Sequence, residues 1–75
     1  MRDRLKKLLE YEYGEIDFES SNELIDDGII DSLTLTGILA IISMEFGIML
    51  PFEEIIPDNF NSLDAMAELV SKYTK

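Results

Sequence analysis

The sequence predicts an all-α protein. The expected architecture is a small four-helix bundle, three main helices and one short one, with a long loop between helices 1 and 2. Apolar residues recur at helical spacing in three separate stretches. Helix-start residues stand before the second and the last of these. Strand patterning is weak, since only Ile48-Met49-Leu50 makes a short apolar run. The chain of 75 residues has room for a single domain, 1–75. A domain of this size buries only about 60% of its unfolded surface, so its core is small.

The first helix is expected over Asp3 to Tyr13. Leu5, Leu8 and Leu9 form an i, i+3, i+4 stripe, and Gly14 is the stop. Bases in its first turn and Glu10 and Glu12 in its last oppose the helix dipole, so it needs tertiary packing. Residues 15–31 form the long connection. Ile16, Phe18, Leu24, Ile25, Ile29 and Ile30 are too apolar for a solvated loop, and several should fold back onto the core. Ser20, Ser21 and Asn22 suit a capped turn before Leu24.

The second helix is expected over residues 32–46, closed by Gly47. Asp31 and Ser32 both qualify as its cap, because either side chain can accept from the first free amides. Leu35, Ile38, Ile42 and Phe46 share one face, with Leu39 beside it. Thr34, Gly37, Ile41 and Met44 recur on another. Its single charge is Glu45. A helix this apolar is either central or meets a partner. Pro57 suits the first position of a short helix through Asp58, Asn59 and Phe60. Asn61 or Ser62 then caps the last helix, about Ser62 to Lys72, with Leu63, Met66, Ala67 and Val70 facing inward. Asp64 and Lys72 sit where the dipole favours them.

Charge narrows the function. The formal net charge is −10, and all six bases lie at the two ends. Residues 8–71 hold 15 of the 16 acids and no base, a segment charge of −15. Nothing there neutralises phosphates, so nucleic-acid binding is excluded, and anionic membrane surfaces are disfavoured. Basic protein surfaces are attracted instead. There is no cysteine and no histidine. That removes disulfides, thiolate metal sites and any Ser-His-acid triad. Gly28 aligned as the centre of an EF-hand loop leaves two of four ligand positions wrong, so no metal site is assigned. Paired carboxylates of the glycosidase kind lack a cleft in so short a chain. No catalytic residue is assigned and no enzyme activity is expected. The start Met-Arg-Asp-Arg lacks a signal-peptide pattern, and no apolar stretch reaches the ~20 residues of a membrane span. A cytoplasmic monomer is expected.

Ser32 is the residue with unexplained chemical potential. It places a hydroxyl at a helix start, where free amides and the dipole favour a phosphate. Asp31-Ser32-Leu33 opening an apolar helix, after a ten-residue helix and a long loop, resembles the phosphopantetheine attachment site of acyl carrier proteins. Pro57 to Met66, Pro-Asp-Asn-Phe-Asn-Ser-Leu-Asp-Ala-Met, is similar to the family's third helix and its junction with the fourth. The likeness covers essentially the whole chain.

The resemblance implies that Ser32 carries 4′-phosphopantetheine, joined from coenzyme A by a phosphopantetheinyl transferase. The arm's thiol would then hold an acyl or aminoacyl group as a thioester. It implies transferase or partner recognition by Asp31, Leu33, Thr34, Gly37 and Met44. The partners implied are that transferase and either an adenylating ligase or acyltransferase and synthase enzymes. Many family members place a glycine three residues before the serine. Here Ile29 stands there and Gly28 one residue earlier, a spacing similar to free-standing D-alanyl carriers. The nearly uncharged second helix points the same way, toward aminoacyl or specialised acyl cargo. A cleft near Leu39, Ile42 and Ile55 is a candidate shelter for that cargo. The alternative reading is a small acidic helical interaction module without a prosthetic group.

Overall fold

A computed structural model describes residues 1–74. Four α-helices follow in order: α1 (Arg2–Glu12), α2 (Ser32–Phe46), α3 (Pro57–Phe60) and α4 (Leu63–Tyr73), with a 3-10 turn at Phe52–Glu54. No strand forms among the described residues, and Ile48, Met49 and Leu50 are irregular chain. Among the described residues no helix is long and apolar enough to cross a membrane. The all-α expectation, with its long first loop, is met. The 3-10 turn is an addition that the Pro51–Pro57 bracket concealed.

The core is one cluster. Leu5 and Leu9 of α1, Ile38 and Ile42 of α2, Phe60 of α3, and Leu63, Met66, Ala67, Leu69 and Val70 of α4 are buried together. Phe18, Leu24 and Ile30 of the long loop join them. The loop therefore folds inward as its composition demands, although Ile29 stays exposed. Each buried aliphatic or aromatic side chain contributes about 1.5–3 kcal/mol of transfer free energy.

Element ends follow local chemistry. α1 ends one residue earlier than expected, because Tyr13 leaves helical geometry and its N–H closes the last turn on the Leu9 carbonyl. α2 ends at Gly47, whose φ of 65° is left-handed and whose N–H returns to the Ser43 carbonyl at 2.9 Å. Pro57 opens α3 with no amide to satisfy. Ser62, not Asn61, caps α4 by accepting from the Ala65 N–H at 3.0 Å.

Both α1 and α3 pack on α4, and α2 makes no comparably close backbone approach. The basic face of α1 is tied to acids elsewhere. Arg2 reaches Glu19 and Asp64, Lys6 reaches Glu19 at 3.0 Å, and Arg4 reaches Glu45 at 3.1 Å while lying over the Phe46 ring. Exposed pairs of this kind contribute at most about 1 kcal/mol each, so they orient α1 more than they hold the fold.

Candidate phosphopantetheine attachment site

The site is built where the long loop becomes α2. Gly28 turns the chain with a left-handed φ of 77°, and its N–H bonds the Ile25 carbonyl at 3.0 Å. No side chain is compatible with that conformation at low cost. Ile30 then drops into the core, and Asp31 takes up an extended backbone at the helix start.

Asp31 is the cap. Its Oδ1 accepts from the Thr34 N–H at 2.8 Å, and its carbonyl accepts the first helical bond from Leu35. The expectation that Ser32 also qualifies as the cap is corrected. Ser32 is the first residue inside the helix, where its side chain projects outward and is exposed. Its hydroxyl is left free of the capping bond, and its carbonyl accepts from the Thr36 hydroxyl at 2.9 Å. The amides of Ser32 and Leu33 lie in the first turn, where no intrahelical acceptor exists. The Thr34 amide, bonded to the Asp31 carboxylate, holds that carboxyl below its ordinary range, so it is ionised at neutral pH beside the free hydroxyl.

The other expected residues fall into separate places. Leu33, adjacent to Ser32, is 81% exposed. Thr34 is half-buried. Gly37 is half-buried beneath Tyr13, and a Cβ there would come within 2.0 Å of the Tyr13 hydroxyl. Its smallness is therefore explained by that close approach. Met44 is 85% exposed and lies roughly 18 Å along the helix axis from Ser32. There it lines a shallow groove with Leu8, Glu12, Ile41 and Glu45. The helix start and Met44 are two places on one helix rather than one cluster.

A second groove of about 210 Å³ runs beside α2, lined by Leu39, Ile48, Met49, Leu50 and Ile55. The expected lining is corrected at Ile42, which is fully buried in the core. Sequence reasoning also missed two anchoring residues. Glu54 accepts from the Tyr73 hydroxyl at 2.8 Å and pairs with Lys72 at 3.0 Å, fixing one wall of this groove to α4. Asn61, read as an alternative cap, instead binds the long loop. The Asn-Ser doublet signalled a polar requirement there without saying which residue met which need.

A family model for the phosphopantetheine attachment site matches residues 1–70. The chain belongs to the phosphopantetheine carrier family. No curated protein and no solved structure matches the chain. Carriers of this family bear a covalently attached 4′-phosphopantetheine, whose terminal thiol supplies the thioester chemistry. The start of α2 fits that group: it offers an exposed primary hydroxyl, uncovered by other chain, beside amides that favour a phosphate. Carrier proteins of this type meet modifying and synthase enzymes, and the all-helical bundle found here suits that family.

Proposed function

We propose that this protein is a carrier whose 4′-phosphopantetheine is attached to Ser32, and that it presents an aminoacyl or specialised acyl thioester to partner enzymes. The observation that carries the reading is the division of labour at the helix start. Asp31 caps, so Ser32 keeps its hydroxyl exposed and available. With no histidine in the chain and the lysines near its ends, the base for the transfer comes from the transferase. The Ser32 oxygen forms the new phosphodiester, its proton leaves to that base, and the nucleotide part of coenzyme A departs.

Asp31 is positioned to meet the transferase or its metal, and Leu33 offers an apolar contact beside the reacting hydroxyl. The only acid on α2, Glu45, is paired with Arg4, so the outer face of α2 presents no free carboxylate of its own. That supports apolar docking and, among carriers, favours loading by an adenylating ligase over salt-bridged docking to synthase enzymes. The Gly28 spacing and the nearly uncharged α2 resemble the D-alanyl type of carrier.

Co-expression with a broad-specificity transferase should add one phosphopantetheine mass to the wild-type protein, read by intact mass. Ser32→Ala should abolish the addition while leaving the fold intact. A wild-type protein that stays unmodified across several transferases would sink the assignment.

A further inference from the structure

We propose that Asn61 is a positioning residue for the modification of Ser32. From the α3–α4 junction it clamps the loop whose exit fixes where α2 begins. The inference rests on Ser32 being the attachment residue.

Asn61 is a polar side chain in an otherwise apolar core, and only 8% exposed. Its Oδ1 accepts from the Ile25 N–H at 2.8 Å and from the Asp26 N–H at 3.1 Å. Its Nδ2 donates to the Asp26 carboxylate at 3.1 Å. Its own carbonyl accepts from the Leu24 N–H at 2.8 Å. One residue therefore makes four bonds to three consecutive loop residues. The helix beside it has no need of these bonds, because Ser62 supplies the α4 cap.

The clamp reaches Ser32 through a short path. Leu24 accepts from the Ile30 N–H at 2.9 Å, and both side chains are buried. Asp27 and Gly28 close the turn between them on the Glu23 and Ile25 carbonyls. Ile30 is followed directly by Asp31 and Ser32. Residues 13–31 contain no helix or strand, so their order comes from local turn bonds together with such tertiary anchors. Where the anchor is lost, the start of α2 spends less time in the geometry that a transferase reads. A reduced competent fraction weakens apparent affinity by that fraction and leaves the chemical step unchanged.

The test uses Asn61→Ala, wild type, and Val70→Ala as a control that destabilises the shared core without removing a clamp bond. In the unmodified protein, amide exchange at Ile25 and Ile30 should quicken about tenfold in Asn61→Ala only, the loss of a buried hydrogen bond expressed as a rate. With a transferase and coenzyme A, KM for the folded Asn61→Ala protein should rise several-fold at unchanged kcat. Val70→Ala should move neither. Asn61→Asp keeps the acceptor for the two amides but sets a carboxylate against Asp26, and should also raise KM. Combining it with Asp26→Asn restores the donor and acceptor in reversed order and should restore KM. Should Asn61→Ala fail to fold, Asp26→Ala removes a single clamp bond and should give a smaller rise in KM. Folded Asn61→Ala, or Asp26→Ala in its place, modified with wild-type KM and kcat overturns the proposal. An unmodified wild type overturns the Ser32 assignment instead, so the two failures are distinct.

Discussion

The helices α4 and α2 answer opposite demands. α4 is amphipathic, and five of its eleven residues are buried: Leu63, Met66, Ala67, Leu69 and Val70. α2 is longer and far more apolar, yet of its fifteen residues only Ile38 and Ile42 are buried. α4 is the element against which α1 and α3 pack, while α2 stands further off and leaves Leu33 and Met44 in solvent. The hydrophobic effect alone would place the more apolar helix at the centre. Its inner face still packs on the core through Ile38 and Ile42, with Leu35, Leu39 and Phe46 beside them, while Leu33 and Met44 stay exposed. In a carrier protein, whose group must be presented to partner enzymes, exposed apolar side chains of this kind are what docking needs.

The sharpest break of this comparison uses one residue type on both helices. Met66→Ala empties a fully buried position in α4 and should cost about 2–5 kcal/mol, a large share of the stability of so small a domain. Met44→Ala removes an exposed side chain from α2 and should change stability by less than about 0.5 kcal/mol. Urea unfolding midpoints compare them directly. Similar losses for the two would mean that the outer face of α2 is part of the fold's support.

The bounds of α2 were legible because both ends carry strong local signals, an Asp-Ser start and a glycine stop. The inward face of α4 was legible from its period. The periodicity of α2 was ambiguous for a physical reason: nearly every position is apolar, so spacing cannot separate Ile42, buried, from Met44, exposed. The choice of Asp31 over Ser32 as cap was likewise open, since both chemistries suit it and only the backbone turn at Asp31 decides. Asn61 and Glu54 were invisible as anchors because the distant partners they tie together lie 18 to 37 residues away. Tyr13 over Gly37 is the same kind of case, a contact between α2 and the residue that follows α1.

The cap separates the two roles at the head of α2 with a smaller effect. Asp31→Ala removes the acceptor of the Thr34 amide and should cost about 1 kcal/mol. Ser32→Ala removes a hydroxyl that takes no part in capping, and thermal melts should place it within about 0.5 kcal/mol of wild type. A loss in Ser32→Ala equal to that in Asp31→Ala would return the serine to a structural role. A stable Ser32→Ala protein that cannot be modified would instead separate presentation from folding at neighbouring residues.

The smallest effect concerns the tie between the two regions, where Glu54 joins the groove wall beside α2 to the end of α4. Its carboxyl lies below its ordinary value of 4.5, first because the Tyr73 hydroxyl donates to it and then because Lys72 pairs with it. A lowered folded pKa stabilises the native state above the unfolded value, and that contribution fades as the pH falls through the lowered one. Tyr73 has the opposite sign. Its hydroxyl is raised above 10.0 by the same bond, so its contribution is present below 10.0 and fades as the pH rises through the raised value. Glu54→Gln keeps the shape and an acceptor for Tyr73 but cannot titrate. Its melting temperature should fall less steeply than that of wild type between neutral pH and about pH 2. The slope should not vanish, because Glu19 and Asp31 are also held low by their own partners. Superimposable acid limbs for the two proteins would mean that solvent screens the Glu54 tie completely, and that the groove wall is held to α4 by packing alone.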